Sequence, residues 1–325
     1  MFTDIIYNEY DNSMSLNING LSGFVVNGLR RTILNDISNL GFGYEPENTI
    51  KIIKNTTEMN NQLLAHRISL IPVIIDEWKY SKNTINIDEY IFSLNVTSIS
   101  QYKYNGNVTT DDFVVKQIKN GVETILDTKK HFIRDRKFDA PILITRFPID
   151  DTINVINLEC KLSVGTTMKH TSYSPVVICT SNKIEDKKYK FHIESVGLWY
   201  PSELLFSGIL SLRKRMLNII RNFTNIKKSY DDNLYKIIYI IEDIDTTIWN
   251  IIYQKMSQDN RFNVLHKVQT LKNNIEIQIS LKSKNDLWRK CISLFFLHNT
   301  KSIFTDLNKI YNCTEQIFIQ NINSI

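Results

Sequence analysis

Apolar residues recur at three- and four-residue steps between positions 23 and 40, where Val26, Leu29, Ile33, Ile37 and Leu40 share one side of a helical projection. That spacing predicts an amphipathic helix, with Gly41 as its stop signal and Pro46 just beyond. Gly28 lies inside it; an interior glycine costs about 1 kcal/mol relative to alanine, so the position is expected to admit a closely approaching neighbour. A second helix is read over 58–66, with Asn55 and Glu58 placed as a capping box. Further along, Pro201 suits a helix start, and Leu205, Ile209, Leu212, Met216, Ile219 and Phe223 form an apolar stripe behind it. A stripe of that length needs a partner helix, either the one spanning 27–34 or a counterpart later in the chain.

Between Pro72 and Pro141 the pattern changes to polar stretches and short β-like runs at 91–96 and 113–118, with turn signals at Asn105-Gly106 and Asn120-Gly121. Strands are expected to continue at 142–145 and 157–164, which gives a β-rich insertion closing near Lys187-Lys188, with another strand at 191–197 beyond it. A polar connector at 225–233 precedes a fresh start: a strand at 235–241 and a helix at 245–256 with Ile248, Trp249, Ile252, Tyr253 and Met256 on its apolar side. Residues 274–282 alternate strictly, Ile275, Ile277, Ile279 and Leu281 against Glu276, Gln278, Ser280 and Lys282, as a half-buried strand requires. A long helical stretch from Asp286, broken near Asn299, completes the reading.

At 325 residues the chain is expected to divide into two or three units. A net charge of +5 without a basic tail permits contact with an acidic partner or nucleic acid but demands neither. Cys160, Cys179, Cys291 and Cys313 are far apart with no Cys-x-x-Cys pair, which suggests reduced thiols and no metal site. Asp4, Glu9 and Asp11 suit neither a secretory signal nor a transit peptide, and no apolar run approaches the roughly 20 residues of a membrane span. The expectation is a soluble intracellular protein.

Catalytic signatures are missing: no Gly-x-x-x-x-Gly-Lys loop, Gly-x-Ser-x-Gly elbow, His-Glu-x-x-His helix or Gly-x-Gly-x-x-Gly turn. Asp243-x-Asp245 could suggest a metal pair, but Asp245 is better read as a helix N-cap, with Asp243 favoured by the helix dipole. No cofactor is expected.

Asn27-Gly28-Leu29-Arg30-Arg31-Thr32-Ile33-Leu34, followed by Glu58 to Pro72 with Leu64-Ala65-His66-Arg67 at its centre, resembles the signature of the α-like assembly subunits of cellular RNA polymerases. That family includes the bacterial α subunit, its larger archaeal counterpart and the third-largest subunit of eukaryotic RNA polymerase II. A third piece, Lys169-His170-Thr171-Ser172-Tyr173-Ser174-Pro175-Val176, is similar to the family's His-x-x-Trp-Ser-Pro-Val stretch. The last third, through Ile241-Glu242-Asp243-Ile244-Asp245-Thr246-Thr247-Ile248-Trp249-Asn250 and Val264-Leu265-His266-Lys267-Val268, resembles the smaller α-like partner, as found in archaea and as the eleventh subunit of eukaryotic RNA polymerase II. Trp249 stands there where glycine is usual and Leu265 where proline is usual.

The resemblance implies an α+β chain in which antiparallel strands and packed helices build a discontinuous first α-like dimerisation domain, 1–45 plus 188–228. It also implies an inserted β-rich domain, 46–187, and a second, smaller α-like domain, 229–325, forming an intramolecular pseudo-dimer. It places Leu29, Ile33, Leu205, Ile209, Leu212, Met216, Ile248, Trp249 and Ile252 in the pairing of the two halves. It assigns Asn27, Arg30, Arg31, Glu58, His66, Arg67, His170, Tyr173 and Pro175 to surfaces that meet other polymerase subunits. On spacing alone Arg30 and Arg31 would be a solvated helix face and His66 a satisfied core histidine. The implied partners are the largest and second-largest subunits and a small zinc-binding subunit, with DNA reached only through the complex, no membrane contact and no homodimer. The family's cysteine cluster is absent, so no metal is carried over.

Fusions of this kind resemble the arrangement in large DNA viruses of eukaryotes, which points to cytoplasm (a virus factory or virion) or nucleus. The Ile-, Asn- and Lys-rich composition fits an AT-rich coding sequence. Two rival readings stay open: a nucleic-acid-binding protein using Lys129 to Lys137 and Arg213-Lys214-Arg215, or a homo-oligomer paired through its amphipathic helices.

Overall fold

The computed structural model describes every residue except 45–47, 76–85, 102–104, 136, 149–152, 242–245, 270–273, 283–286 and 323–325, and the backbone alone at 269, 274 and 315–322. The architecture is α+β, and every strand pairing among the described residues is antiparallel. The chain opens with a hairpin of β1 (Phe2–Asn8) and β2 (Ser13–Asn19), then α1 (Gly23–Asn35). It moves into a second sheet through β3 (Asn39–Phe42), β4 (Ile50–Asn55), helix α2 (Asn61–Ser69) and β5 (Tyr90–Thr97). That region continues with β6 (Asn107–Thr109), β7 (Phe113–Lys119), β8 (Val122–Leu126), β9 (Leu143–Arg146) and the long β10 (Val155–Gly165).

β11 (Val176–Glu185) and β12 (Lys188–Ser195) return to the first sheet, in the order β1-β2-β12-β11, and α3 (Pro201–Arg221) follows with Pro201 in its first turn. The remainder is β13 (Lys227–Asp231), β14 (Lys236–Ile241), α4 (Thr246–Met256), β15 (Phe262–Gln269), β16 (Asn274–Leu281) and α5 (Trp288–Ile322), with strand order β13-β14-β16-β15.

The first and last sheets therefore share one wiring, two strands, a helix, two strands, a helix, and they share register as well. In the first, Ile18 faces Tyr189, Leu16 faces Phe191 and Met14 faces Ile193; in the last, Ile241 faces Ile275, Tyr239 faces Ile277 and Ile237 faces Ile279. Burial repeats at the same intervals. Val25, Val26, Gly28, Leu29 and Ile33 of α1 match Ile248, Trp249, Ile251, Ile252 and Met256 of α4. Leu205, Gly208, Ile209, Leu212 and Met216 of α3 match Ile292, Phe295, Phe296, Asn299 and Ile303 of α5. In the first unit the whole second sheet occupies the place that residues 257–261 fill in the other.

Equivalent helices meet each other: α1 packs on α4 and α3 on α5, while α1 also packs on α3 and α4 on α5. Like against like is the contact pattern of a two-fold interface, here within one chain. Two glycines let the backbones approach. A Cβ at Gly28 would lie 2.3 Å from Ile251 Cδ1, and one at Gly208 would lie 2.5 Å from Ile33 Cγ1. Leu29, Ile33, Leu205, Ile209, Leu212, Met216, Ile248, Trp249 and Ile252 are all buried in this helical layer.

Several sequence expectations need correction. The first helix ends at Asn35, not Leu40, because Asn35, Asp36, Ser38 and Asn39 compete with helical hydrogen bonding; Ile37 and Leu40 are buried instead on the way into and along β3. The cap of α2 is Asn60, whose side chain accepts from Leu63 N; Asn55 bonds to Thr57 and Asn61. The connector at 225–233 contains β13, which pairs with β14. No break occurs at Asn299: its Nδ2 donates to the Phe295 carbonyl, and Thr300 Oγ1 to that of Phe296, so both polar side chains are satisfied inside α5.

A boundary at 187/188 falls within the β11–β12 hairpin, since β11 already belongs to the first sheet. The boundary at 45/46, together with Pro46, Asp243, Asp245 and Asp286, lies outside the described residues. β3 pairs with β10, so residues 39–42 are part of the inserted sheet.

Candidate protein-protein interface

Helix α1 turns its apolar side to α3 and α4 and leaves Asn27, Arg30 and Arg31 toward the surface. Asn27 and Arg30 are one turn apart, and Asn27 Oδ1 accepts from the Arg30 guanidinium at 3.1 and 2.9 Å. Arg31 reaches the other way, donating to Thr246 Oγ1 at the start of α4 at 3.3 Å. The Arg30 charge is also felt by Cys179 on β11: burial pushes that thiol up to about 12, while Arg30 pulls in the opposite direction. The two arginines thus present separate cationic points rather than one patch.

Between α1 and α4 runs a groove of about 430 Å³. Its walls come from equivalent positions of the two repeats: Phe24 and Thr247, Asn27 and Asn250, Gly28 and Ile251, Arg31 and Gln254. It therefore sits on the pseudo-two-fold. No carboxylate lines it among the described residues, and the side-chain amides of Asn250 and Gln254 make no hydrogen bond there. Sequence reading met Asn250 only as part of a motif and missed Gln254. The signal available was the Asn-x-x-x-Arg spacing of α1 echoed as Asn-x-x-x-Gln in α4.

A second surface gathers residues from three parts of the inserted region. His66, near the end of α2, lies with its ring centroid 5.3 Å from Tyr44 and 6.0 Å from His170, and Tyr44 is 5.6 Å from His170. The Ser172 backbone N–H donates to His170 Nδ1 at 3.2 Å, so the neutral ring carries its proton on Nε2. Arg67 Nε donates to the Ile144 carbonyl at 2.8 Å, pinning α2 to β9. Glu58 is exposed in the turn before α2. Tyr44 went unnoticed in the sequence.

Two residues assigned to a partner surface are instead interior. Tyr173 is 1% exposed; its ring fills the space beside Gly41 and Gly165, and its hydroxyl is 2.7 Å from Ser163 Oγ. Pro175 is buried, and its carbonyl accepts from Val196 N. Both position the His170 loop rather than meet a partner.

Three arginines of the basic segments are committed within the chain, while Lys129, Lys130, Lys137 and Lys214 are exposed. Arg134 is held by Asp111 and Asp139, and the Asp111 hydrogen bond raises its pKa further. Arg213 lies over the rings of Tyr311 and Phe304 at 4.8 and 5.8 Å, and Arg215 pairs with Asp36 at 2.9 Å. Arg136 lies outside the described residues. Among the described residues no group of three or more His, Cys, Asp or Glu is placed to hold a metal ion, and no helix is long and apolar enough to cross a membrane.

No protein-family model matches the chain, and no curated protein matches its sequence.

Proposed function

We propose that this chain is a non-catalytic assembly subunit of a multisubunit DNA-directed RNA polymerase, with two α-like halves fused so that their pairing is intramolecular. The observation that carries this reading is the doubled unit. Two units of identical strand order and register pair equivalent helices, and the motifs that resemble the larger and smaller α-like subunits fall in α1 of one unit and α4 of the other. A short connection between the units holds them at high effective concentration, so the fused chain needs no second copy.

On this reading the α1–α4 face and the Tyr44, His66, His170 surface receive the largest and second-largest subunits and a small zinc-binding subunit. Arginine suits such a face because its guanidinium forms fixed, bidentate hydrogen bonds to carboxylates. DNA is reached only through the assembled enzyme. A virus factory, virion or nucleus would be the compartment.

The nucleic-acid-binding alternative is weakened by the internal engagement of Arg134, Arg213 and Arg215. The test is a double variant, Arg30→Glu with Arg31→Glu, mixed with the second-largest subunit. The expected result is an unchanged circular dichroism spectrum with recruitment abolished; recruitment at the unaltered level would count against the reading.

A further inference from the structure

We propose that the groove on the pseudo-two-fold is one composite receptor for an acidic segment of a partner protein, read by both repeats at once. The inference deepens the assembly role proposed above and rests on it for the partner's identity, though not for the chemistry. Asn27 and Asn250, Arg31 and Gln254, and Gly28 and Ile251 line it as matched pairs. Ile251 fills the space left by the missing side chain at Gly28 and both are buried, so the accessible apolar wall is the half-buried Phe24.

The rim is rich in donors. Asn27 Oδ1 is already engaged by Arg30, which leaves the Asn27 amide to donate through Nδ2. Arg31 uses one N–H on Thr246 Oγ1 and has others to offer. The side chains of Asn250 and Gln254 have no hydrogen-bond partner among the described residues. With cationic Arg31 and no carboxylate among the described lining residues, the charge complement is an anion.

The pairing is asymmetric where it matters. Arg31 has Gln254 as its twin, so the cation stands on the α1 side only and the α4 side offers neutral amides. A carboxylate side chain docks on Arg31 and Asn27, and the polar backbone of the same segment lies across Asn250 and Gln254. An apolar neighbour of the acidic residue packs on Phe24. A nucleic-acid strand fits less well, because it brings successive phosphates to a groove with one lining cation.

The experiment uses the full-length chain and a fluorescent peptide carrying paired aspartates between leucines. Its asparagine-substituted counterpart and a single-stranded oligonucleotide of the same charge serve as competitors. The expected result is that the acidic peptide binds, the asparagine form binds at least about tenfold more weakly, and Asn250→Asp with Gln254→Glu weakens binding about tenfold. Gln254→Glu alone, at an exposed position, gives a smaller loss and guards against misfolding of the double variant.

Absence of acidic-peptide binding, unchanged binding in both variants, or preference for the oligonucleotide overturns the proposal. The assay contains no other polymerase chain, so it can fail while large subunits still co-purify with the protein, and it can succeed where they do not.

Discussion

Gly208→Ala tests whether the two helices of the first repeat, α1 and α3, meet as closely as the helical layer requires. A Cβ there would stand 2.5 Å from Ile33 Cγ1 and 3.3 Å from Ile33 Cδ1 and Leu29 Cδ1, and both neighbours are buried. Cγ1 moves only by χ1 rotation, which a buried isoleucine in a helix strongly resists, so relief requires α1 itself to shift. Alanine in a helix interior gains about 1 kcal/mol over glycine. Overpacking a filled core costs about 1–3 kcal/mol. At a contact of 2.5 Å the cost lies in the upper part of that range, so the net loss is roughly 1–2 kcal/mol, or a fall of about 2–8 °C in Tm, since each kcal/mol moves a large domain by about 2–4 °C. Gly28→Ala is the internal control: its new Cβ meets Ile251 first at Cδ1, 2.3 Å away, a terminal methyl that can rotate aside. That variant should melt within about 2 °C of the parent. Thermal melts followed by circular dichroism compare the two, and a Gly208→Ala chain as stable as the parent would refute the close-packing argument.

Arg215→Met should cost roughly 1–3 kcal/mol in denaturant unfolding, because it removes the ion pair to Asp36 and the 2.6 Å hydrogen bond to Thr32 Oγ1 on α1. No loss would mean that the pair contributes nothing. Of the four thiols, Cys291 and Cys313 should react readily with a thiol reagent at mildly alkaline pH, whereas Cys160 and Cys179 should react only on unfolding, since burial raises both and removes them from solvent. Four equally fast thiols would contradict the buried positions. Burial lowers the pKa of His266 below its ordinary 6.5, so the folded chain takes up that proton less readily than the unfolded one. Its stability contribution is intact above pH 6.5 and falls away as pH drops through the lower folded value. His266→Gln should flatten stability against pH over that range, and an unchanged slope would assign it to another group.

Much of the fold was legible because burial and period coincide. The stripe of α3, the alternation of β16 and the Asn120-Gly121 turn between β7 and β8 each state their local structure directly. Polar residues inside regular elements hid the rest. Asn299 and Thr300 look like a break until their side chains are seen bonding to carbonyls one turn back, and Lys227–Asp231 looks like a linker because an edge strand has little to bury. The doubled unit left little trace as identity, because Met14 and Leu16 share only apolar character with Ile237 and Tyr239. The same holds for the candidate interface. Asn27, Arg30, Arg31, His66 and His170 were marked by motif, whereas Tyr44, Asn250 and Gln254 acquire meaning only when the chain brings them alongside. Tyr173 and Pro175 were singled out for their motif, and it is a packing role that explains them.

The most direct test of the assembly role is affinity purification of the tagged chain from its native or infected cell, with mass spectrometry of the eluate and an RNA-synthesis assay on it. Two very large subunits recovered in stoichiometric amounts, with template-dependent RNA synthesis, is the predicted result. Recovery of the chain alone, or with nucleic acid and no large subunit, would contradict it.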